Sequence, residues 1–143
     1  MYLLSKKFRF ESAHRLALGY VGKCANIHGH SWNGMLTIEC EELDNQGFGM
    51  DYADIKKITK PYEDNLDHKI LLHAQDKGII DLCKDNGWKF VSFNENPTSE
   101  VIAKDMFNYA SQYLHDNDLS KKGYRVKCVT IEETCTSKCE YYG

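Results

Sequence analysis

Hydrophobic and polar residues alternate in an early segment of the chain, FRFESAH. Phe8, Phe10, Ser12 and His14 fall on one face of this segment, and charged residues occupy most of the other. Because successive side chains of a strand point to opposite faces, the pattern predicts a half-buried strand. The inner face of this strand ends in a histidine.

A second segment, HGHSWNGMLTIEC, has the same two-residue period. His28 and His30 share parity with Trp32 and the apolar residues after it. Gly29 and Gly34 weaken the continuity, since a glycine inside a strand often marks a bulge. We predict a strand whose two histidines point in the same direction as its apolar residues.

The remaining pattern predicts two helices, a short strand before them and a final strand at YRVKCVTIEE. The first helix follows Asp51 as its N-cap and carries an apolar stripe to Leu66, but Pro61 predicts a kink or an early end. The second starts near Pro97, which suits the first helical position. Since strands and helices do not alternate regularly, we expect one α+β domain over 1–143, with helices on one face of an antiparallel sheet.

Composition excludes several classes of protein. The chain has 143 residues, 42% hydrophobic and 27% charged, with a net charge of −3, as in an ordinary soluble domain. No polybasic stretch or long apolar run is present, so we expect no nucleic-acid or membrane partner. The start, MYLLSKKFRF, is too short in apolar length for a signal peptide, which favours a cytoplasmic protein. The six cysteines are then expected as thiols, ligands or nucleophiles rather than disulfides.

Three histidines form a candidate metal site. His28 and His30 come from one strand face, and His14 would join them if the two strands are neighbours. Three protein ligands with an open fourth position are typical of catalytic zinc. The alternative is that each histidine is a hydrogen-bonded, half-buried side chain, which is the better interpretation of a lone histidine but not of this set.

Cys24 and the Asp67-His68 pair are candidates for proton transfer. Cys24 lies close to the histidines in sequence and is either a fourth zinc ligand or a nearby base, since a thiolate forms readily beside a metal. Asp67 and His68 could form a carboxylate–imidazole relay. The alternative for that pair is a set of charges at the end of a helix.

Glu133 is a candidate for ligand binding. It shares parity with Val129 and Ile131 at the end of the last strand. An acidic residue on an apolar face is rarely buried without a partner. That partner is either an arginine or the N–H edge of a bound heterocycle.

Five motifs together resemble a known family. FESAHRL, KCANIHGHSW, LDHKIL, ENPTSE and EETCTSKC, in this order and over nearly the whole chain, resemble the 6-pyruvoyltetrahydropterin synthase family. The resemblance implies a T-fold, a four-stranded antiparallel sheet with two helices on one side. It also implies barrel-like homo-oligomers, hexamer-like, with active sites between subunits.

The resemblance also implies a role for each matching residue. The implied zinc ligands are His14, His28 and His30, and the implied proton-transfer residues are Cys24, Asp67 and His68. Glu133 would hold the amidine-like edge of a pterin, with Thr98 and Ser99 near the ring. Cys24 would then be the catalytic thiol rather than a ligand.

Two details favour the carboxy branch of the family, which belongs to queuosine and 7-deazaguanine synthesis. The spacing of Cys24 from the His-x-His pair and the tail EETCTSKC resemble that branch more than the pyruvoyl branch. The implied reaction converts 7,8-dihydroneopterin triphosphate to 6-carboxytetrahydropterin, acetaldehyde and triphosphate. The alternatives are triphosphate elimination alone and a zinc- and pterin-binding protein without turnover. Residues 73–95 are longer than in compact bacterial members, and WKFVSF there could be an extra strand.

Overall fold

One six-stranded sheet organises the chain, and the computed structural model describes all residues from 1 to 143. The strands lie in the order β4-β3-β1-β2-β5-β6. The elements are β1 Tyr2–His14, β2 His28–Cys40, α1 Tyr52–Leu66, β3 Ile70–His73, α2 Lys77–Asn86, β4 Phe90–Phe93, α3 Ser99–Asp116, β5 Arg125–Thr134 and β6 Ser137–Tyr141. Short 3-10 turns lie at Lys23–Ala25 and Ser120–Lys122.

Strands β1 and β2 form the central antiparallel pair. Each has 13 residues, and the register places His14 opposite His28 and Phe10 opposite Trp32. Both predicted strands are confirmed, although β1 begins at Tyr2, before the predicted segment. Strand β2 is continuous through Gly29 and Gly34, so the two glycines do not interrupt it.

Helices α1 and α3 pack on the inner face of the sheet, where Phe10 and Trp32 are buried. The predicted N-cap of α1 is confirmed, because the Asp51 carboxylate accepts a hydrogen bond from the Ala53 N–H at 2.7 Å. The early end predicted from Pro61 is not observed. Burial of the apolar stripe on both sides of the proline, through Leu66, outweighs the loss of one helical hydrogen bond.

The two helices expected on one face are confirmed, and β1, β2, β5 and β6 form four antiparallel strands, but the expected total of four strands is wrong. A β3-α2-β4 unit adds two strands, with β3 parallel to β1 and β4 parallel to β3. Helix α2 lies on the outer face, where Ile80 and Cys83 pack against Leu72, whereas Leu71 belongs to the inner core. The extra strand in WKFVSF is present, but the short strand predicted between β2 and α1 is absent, because residues 41–51 form turns and irregular backbone. Short apolar runs such as β3 have no distinctive period, which is why the sequence did not reveal this unit.

Helix α3 begins two residues later than Pro97 at its first position would require. Thr98 is its N-cap, with its hydroxyl accepting a hydrogen bond from the Val101 N–H, and the helix starts at Ser99. Pro97 therefore precedes the cap, which leaves its carbonyl free for a side chain of another element. No helix in the chain has both the length and the apolarity to cross a membrane.

The cysteines form no disulfide, as the sequence predicted. All six cysteines are free thiols. Cys40, Cys83 and Cys128 are buried, and Cys135 is exposed. Buried thiols of this kind act as small apolar side chains, which leaves the half-buried Cys24 and Cys139 with access to chemistry.

Gly34 allows the closest packing of β1 against β2. A Cβ atom built on Gly34 would overlap the ring of Phe8, its cross-strand partner. The ring covers the glycine and continues the aromatic stack to Phe10, whose ring centroid is 6.4 Å away. Only a residue without a side chain fits beneath this ring.

We expect Gly34→Ala to lower the free energy of unfolding by about 1–3 kcal/mol, because the added methyl group forces the Phe8 ring to move. Gly29→Ala is the matched control, since the nearest atom to its Cβ position is the Ser12 carbonyl oxygen at 3.8 Å. Urea unfolding of the two variants measures the difference. Equal stability of both variants would contradict this account of Gly34.

Candidate metal centre and surrounding site

Three imidazoles converge where β1 ends and β2 begins. The register sets His14 opposite His28, and His30 lies two residues along on the same face. The Nε2 atoms of His14 and His28 are 3.0 Å apart, and one potential ligand atom from each of the three histidines lies within 4.8 Å of the others. The structure therefore brings the three predicted ligands together.

Backbone carbonyls orient two of these rings. His14 Nδ1 lies 2.7 Å from the Pro97 carbonyl oxygen, and His28 Nδ1 lies 2.7 Å from that of Asn26. A carbonyl only accepts, so each Nδ1 carries the hydrogen and each neutral ring directs the bare lone pair of Nε2 inward. Two bare acceptors 3.0 Å apart repel one another, so a cation, either a proton or a metal ion, must lie between them.

Burial disfavours a proton on two of the three rings. Burial lowers the pKa of His14, although the Pro97 carbonyl acts in the opposite direction. Burial also lowers the pKa of His30, whose Nε2 is enclosed and has no hydrogen-bond partner. Neutral imidazoles with inward lone pairs and carbonyl-fixed rings are what a divalent metal requires, so the residues fit a zinc ion.

Glu133 lies beside the imidazoles. Its Oε1 is 3.4 Å from His14 Nε2 and 3.7 Å from His30 Nε2, and its side chain is 31% exposed. No arginine or lysine lies within ion-pair distance of it, which removes the arginine alternative within the chain. The carboxylate thus lies beside the imidazoles and is still partly exposed to solvent.

Cys24 occupies the 3-10 turn before β2 and is half-buried. The Leu16 N–H donates to the Cys24 carbonyl at 2.9 Å, which ties this turn to the end of β1. The thiol is not in the group of atoms that could share one ion with the three histidines. Of the two roles left open by the sequence, this position favours a base near the metal over a ligand.

Tyr20 is a neighbour of Cys24 that the sequence did not single out. Hydrogen bonding to the Cys24 thiol raises the pKa of the Tyr20 phenol. The phenol ring folds over Gly22, where a Cβ atom would lie 2.9 Å from its hydroxyl oxygen. A single tyrosine in an irregular loop has no periodicity, so no signal in the pattern could have identified it.

The side chains of Asp67 and His68 form a hydrogen-bonded pair at the end of α1. Asp67 Oδ2 lies 2.7 Å from His68 Nδ1, while Oδ1 accepts from the Glu11 N–H at 2.8 Å. The Glu11 N–H, followed by His68, lowers the pKa of Asp67. His68 has a positive φ of 55° and an imidazole that is 80% exposed.

The Asp67-His68 pair has no direct bond to the other candidates within one chain. No hydrogen bond or ion pair joins it to Cys24, Glu133 or the three histidines. His68 does line one cavity of about 420 Å³ together with His30, Glu11 and Ser31. The pair therefore opens into a space that one of the candidate ligands also borders.

The ENPTSE motif supports the site from α3. Besides the Pro97 carbonyl, the Asn96 side chain accepts from the Ala17 N–H at 3.1 Å and donates to the Leu18 carbonyl at 2.8 Å. The Thr98 hydroxyl caps the helix, and the Ser99 hydroxyl donates to Glu100 at 3.2 Å. Thr98 and Ser99 thus have structural hydrogen bonds beside the residue that orients His14.

Comparison with known sequences gives one consistent family. Residues 3–143 match the family described as 6-pyruvoyl tetrahydropterin synthase. A 6-carboxy-5,6,7,8-tetrahydropterin synthase of Aquifex aeolicus is 31% identical over 156 aligned positions, with 96% of each chain covered. The protein of the same name from Bacillus subtilis is 30% identical, with 96% of this chain and 83% of its own covered.

Solved structures share the fold. An uncharacterized protein of Wolinella succinogenes superposes with a TM-score of 0.83 at 20% identity, covering 99% of this chain and 98% of its own. The 6-pyruvoyl tetrahydropterin synthase of Caenorhabditis elegans superposes with a TM-score of 0.73 at 25% identity, covering 99% of this chain and 95% of its own. With the sequence match over residues 3–143, these similarities show that the chain belongs to the 6-pyruvoyl tetrahydropterin synthase family and has its T-fold.

Proposed function

We propose that this pterin synthase is zinc-dependent and converts 7,8-dihydroneopterin triphosphate to 6-carboxytetrahydropterin. Acetaldehyde and triphosphate leave, and one water is consumed. The observation that carries the proposal is the set of three histidine ring nitrogens, one from each candidate ligand, that lie within 4.8 Å of one another. The names of the Aquifex and Bacillus relatives support the carboxy product.

The three histidines would hold the zinc ion through their Nε2 atoms. Bound zinc would supply Lewis-acid polarisation of the side-chain hydroxyls of the substrate. The Pro97 and Asn26 carbonyls keep His14 and His28 in the tautomer that binding requires. Their role is to hold each ring in place, so that no reorganisation is needed when the metal enters.

Cys24 and His68 would move protons. Cys24, as thiolate, would take or return a proton on the side chain of the substrate, and Tyr20 is positioned to hydrogen-bond its sulfur. His68, oriented through Nδ1 by Asp67, would present Nε2 as the complementary acid or base. The two groups act at different atoms, so one can protonate while the other deprotonates.

Glu133 would bind the pterin ring. A carboxylate accepts two parallel hydrogen bonds, and the amino group and ring N–H of a pterin offer this pair of donors. The location of Glu133 beside the metal site would set the distance between the ring and the reacting side chain. Thr98 and Ser99, at the start of α3, would lie near the ring.

A homo-oligomer with active sites between subunits would complete this arrangement. Apolar side chains around Cys24 are unusually exposed, at 41% for Leu18, 45% for Ile27 and 100% for Val21. An apolar patch of this kind is typical of a surface that another protein covers. We take a second copy as the occupant, because His68 is bonded only to Asp67 within its own chain.

The second candidate is the pyruvoyl reaction, in which triphosphate leaves without carbon–carbon cleavage. The similarity to the Caenorhabditis elegans structure favours it, since that protein is named for this reaction. Both reactions would use the same zinc ligands and thiol. They differ in whether a two-carbon fragment leaves.

Product analysis separates the two reactions. We expect zinc-loaded protein incubated with 7,8-dihydroneopterin triphosphate to give equal amounts of 6-carboxytetrahydropterin and acetaldehyde. Mass spectrometry measures both products. A 6-pyruvoyl product without acetaldehyde would move the protein to the second candidate. Bound zinc with no turnover at all would favour a pterin-binding protein.

Cys24→Ala should retain zinc and lower kcat by about 10²–10⁴-fold, because it removes a proton-transfer group and no ligand. Zinc content is measured by plasma mass spectrometry on the same sample. His28→Ala is the paired variant and should lose the metal. Loss of zinc from Cys24→Ala would instead make the thiol a ligand.

Mixed oligomers test the shared site. We expect Cys24→Ala and His68→Ala each to be inactive alone, and activity to return when the two are unfolded, mixed and refolded together. In the mixture, some sites receive an intact Cys24 from one copy and an intact His68 from another. If the two variants never complement each other, the sites do not lie between subunits.

A further inference from the structure

Glu133 lies where a fourth metal ligand would be expected. In a tetrahedral zinc site with bonds of about 2.0–2.2 Å, neighbouring ligand atoms are separated by about 3.3–3.5 Å. Glu133 Oε1 is 3.4 Å from His14 Nε2 and 3.7 Å from His30 Nε2. The carboxylate oxygen is therefore at ligand spacing from His14 Nε2 and slightly beyond it from His30 Nε2.

The polarity of these atoms supports the same interpretation. His14 Nε2 is a bare acceptor, because its Nδ1 carries the hydrogen, and a carboxylate is also an acceptor. Acceptors at this spacing repel each other unless a cation lies between them. His30 Nε2 is enclosed and has no hydrogen-bond partner, so a metal ion would satisfy all three groups at once.

Glu133 also has room to leave this position. It lies near the end of β5, where the pairing with β6 shifts register between Glu132 and Thr134. Such an irregularity re-aims side chains next to functional sites. The side chain is 31% exposed, so it can turn towards solvent without unpacking the core.

We propose that Glu133 alternates between two partners, closing the zinc site as a fourth ligand in the free enzyme and turning to the pterin ring when substrate binds. This inference rests on the proposed zinc and pterin sites. It means that ring recognition opens the fourth position only when the hydroxyls of the substrate are there to occupy it. The metal is thereby kept from acting on water or other small molecules in the absence of a pterin.

The proposal makes zinc and a pterin ring compete for one carboxylate. Pterin itself, which lacks the hydroxylated side chain, is the probe, because it can bind Glu133 without replacing the lost ligand. We expect zinc to weaken pterin binding to the wild type by about tenfold, as titrated by fluorescence with and without metal. Coupling of this size is ordinary for two linked sites, and the effect of pterin on zinc affinity should be equal.

Two variants make the test specific. Glu133→Gln should bind zinc about 10–100-fold more weakly in a chelator competition, and the coupling between zinc and pterin should disappear. Glu132→Gln is the matched control, since Glu132 is the adjacent, exposed carboxylate on the other face of β5, and it should behave as the wild type. Cobalt-substituted wild type should change its visible absorption when pterin is added, and cobalt-substituted Glu133→Gln should not.

The outcomes distinguish failure of the Glu133 alternation from failure of the proposed zinc and pterin sites. Weak pterin binding in Glu133→Gln, with wild-type zinc affinity and no coupling in the wild type, overturns the alternation but leaves the pterin anchor. Wild-type protein that binds no zinc, or His28→Ala that retains it, overturns both the metal site and the alternation. Coupling in the wild type that survives in Glu133→Gln also overturns the alternation.

Discussion

The register between β1 and β2 is the constraint on which the site depends. A slip of one residue would turn His14 away from His28 and move Phe10 to the outer face. Burial of Phe10 against Trp32, with ring centroids 5.8 Å apart, fixes the register. The Trp32 ring in turn contacts His14 and His30 at centroid distances of 5.0 and 5.3 Å. The hydrophobic core therefore holds two of the candidate ligands directly, and much of the free energy that stabilises the sheet also positions the candidate metal site.

The tautomers of the ligands depend on parts of the chain that the strands do not control. The carbonyl that orients His14 belongs to Pro97, 83 residues away in sequence, and is fixed only when α3 has docked. The carbonyl that orients His28 comes from Asn26, in the turn that carries Cys24. The metal site, the thiol and the start of α3 thus form one unit. A change in any of these backbone segments would alter the orientation or the tautomer of an imidazole ring, even where it contacts none of the three histidines.

Periodicity was sufficient for the long elements and insufficient for the short ones. The strands that carry His14 and His28, and the helix after Asp51, follow from alternation and spacing because each has many residues to show its period. The four-residue strands β3 and β4 have too few, so the helix between them and its position on the outer face were missed. Within the site, parity placed Glu133 and the histidines on one face. The Tyr20 contact and the Pro97 carbonyl were unpredictable, since both depend on where irregular backbone lies in three dimensions.

His68 is the residue whose geometry is hardest to explain within one chain. A non-glycine residue with a φ of 55° is strained by about 1–3 kcal/mol. The strain is held by two bonds to β1, because the backbone N–H of His68 donates to the Glu11 carbonyl at 2.7 Å and Asp67 accepts from the Glu11 N–H. Glycine would adopt this conformation without strain, so backbone geometry alone does not account for a histidine at this position. Its ring is 80% exposed and hydrogen-bonded only to Asp67. A strained and solvent-facing imidazole contributes little to the stability of its own subunit, and this is the physical argument behind the proposed proton-transfer role and the proposed sharing of the site between copies.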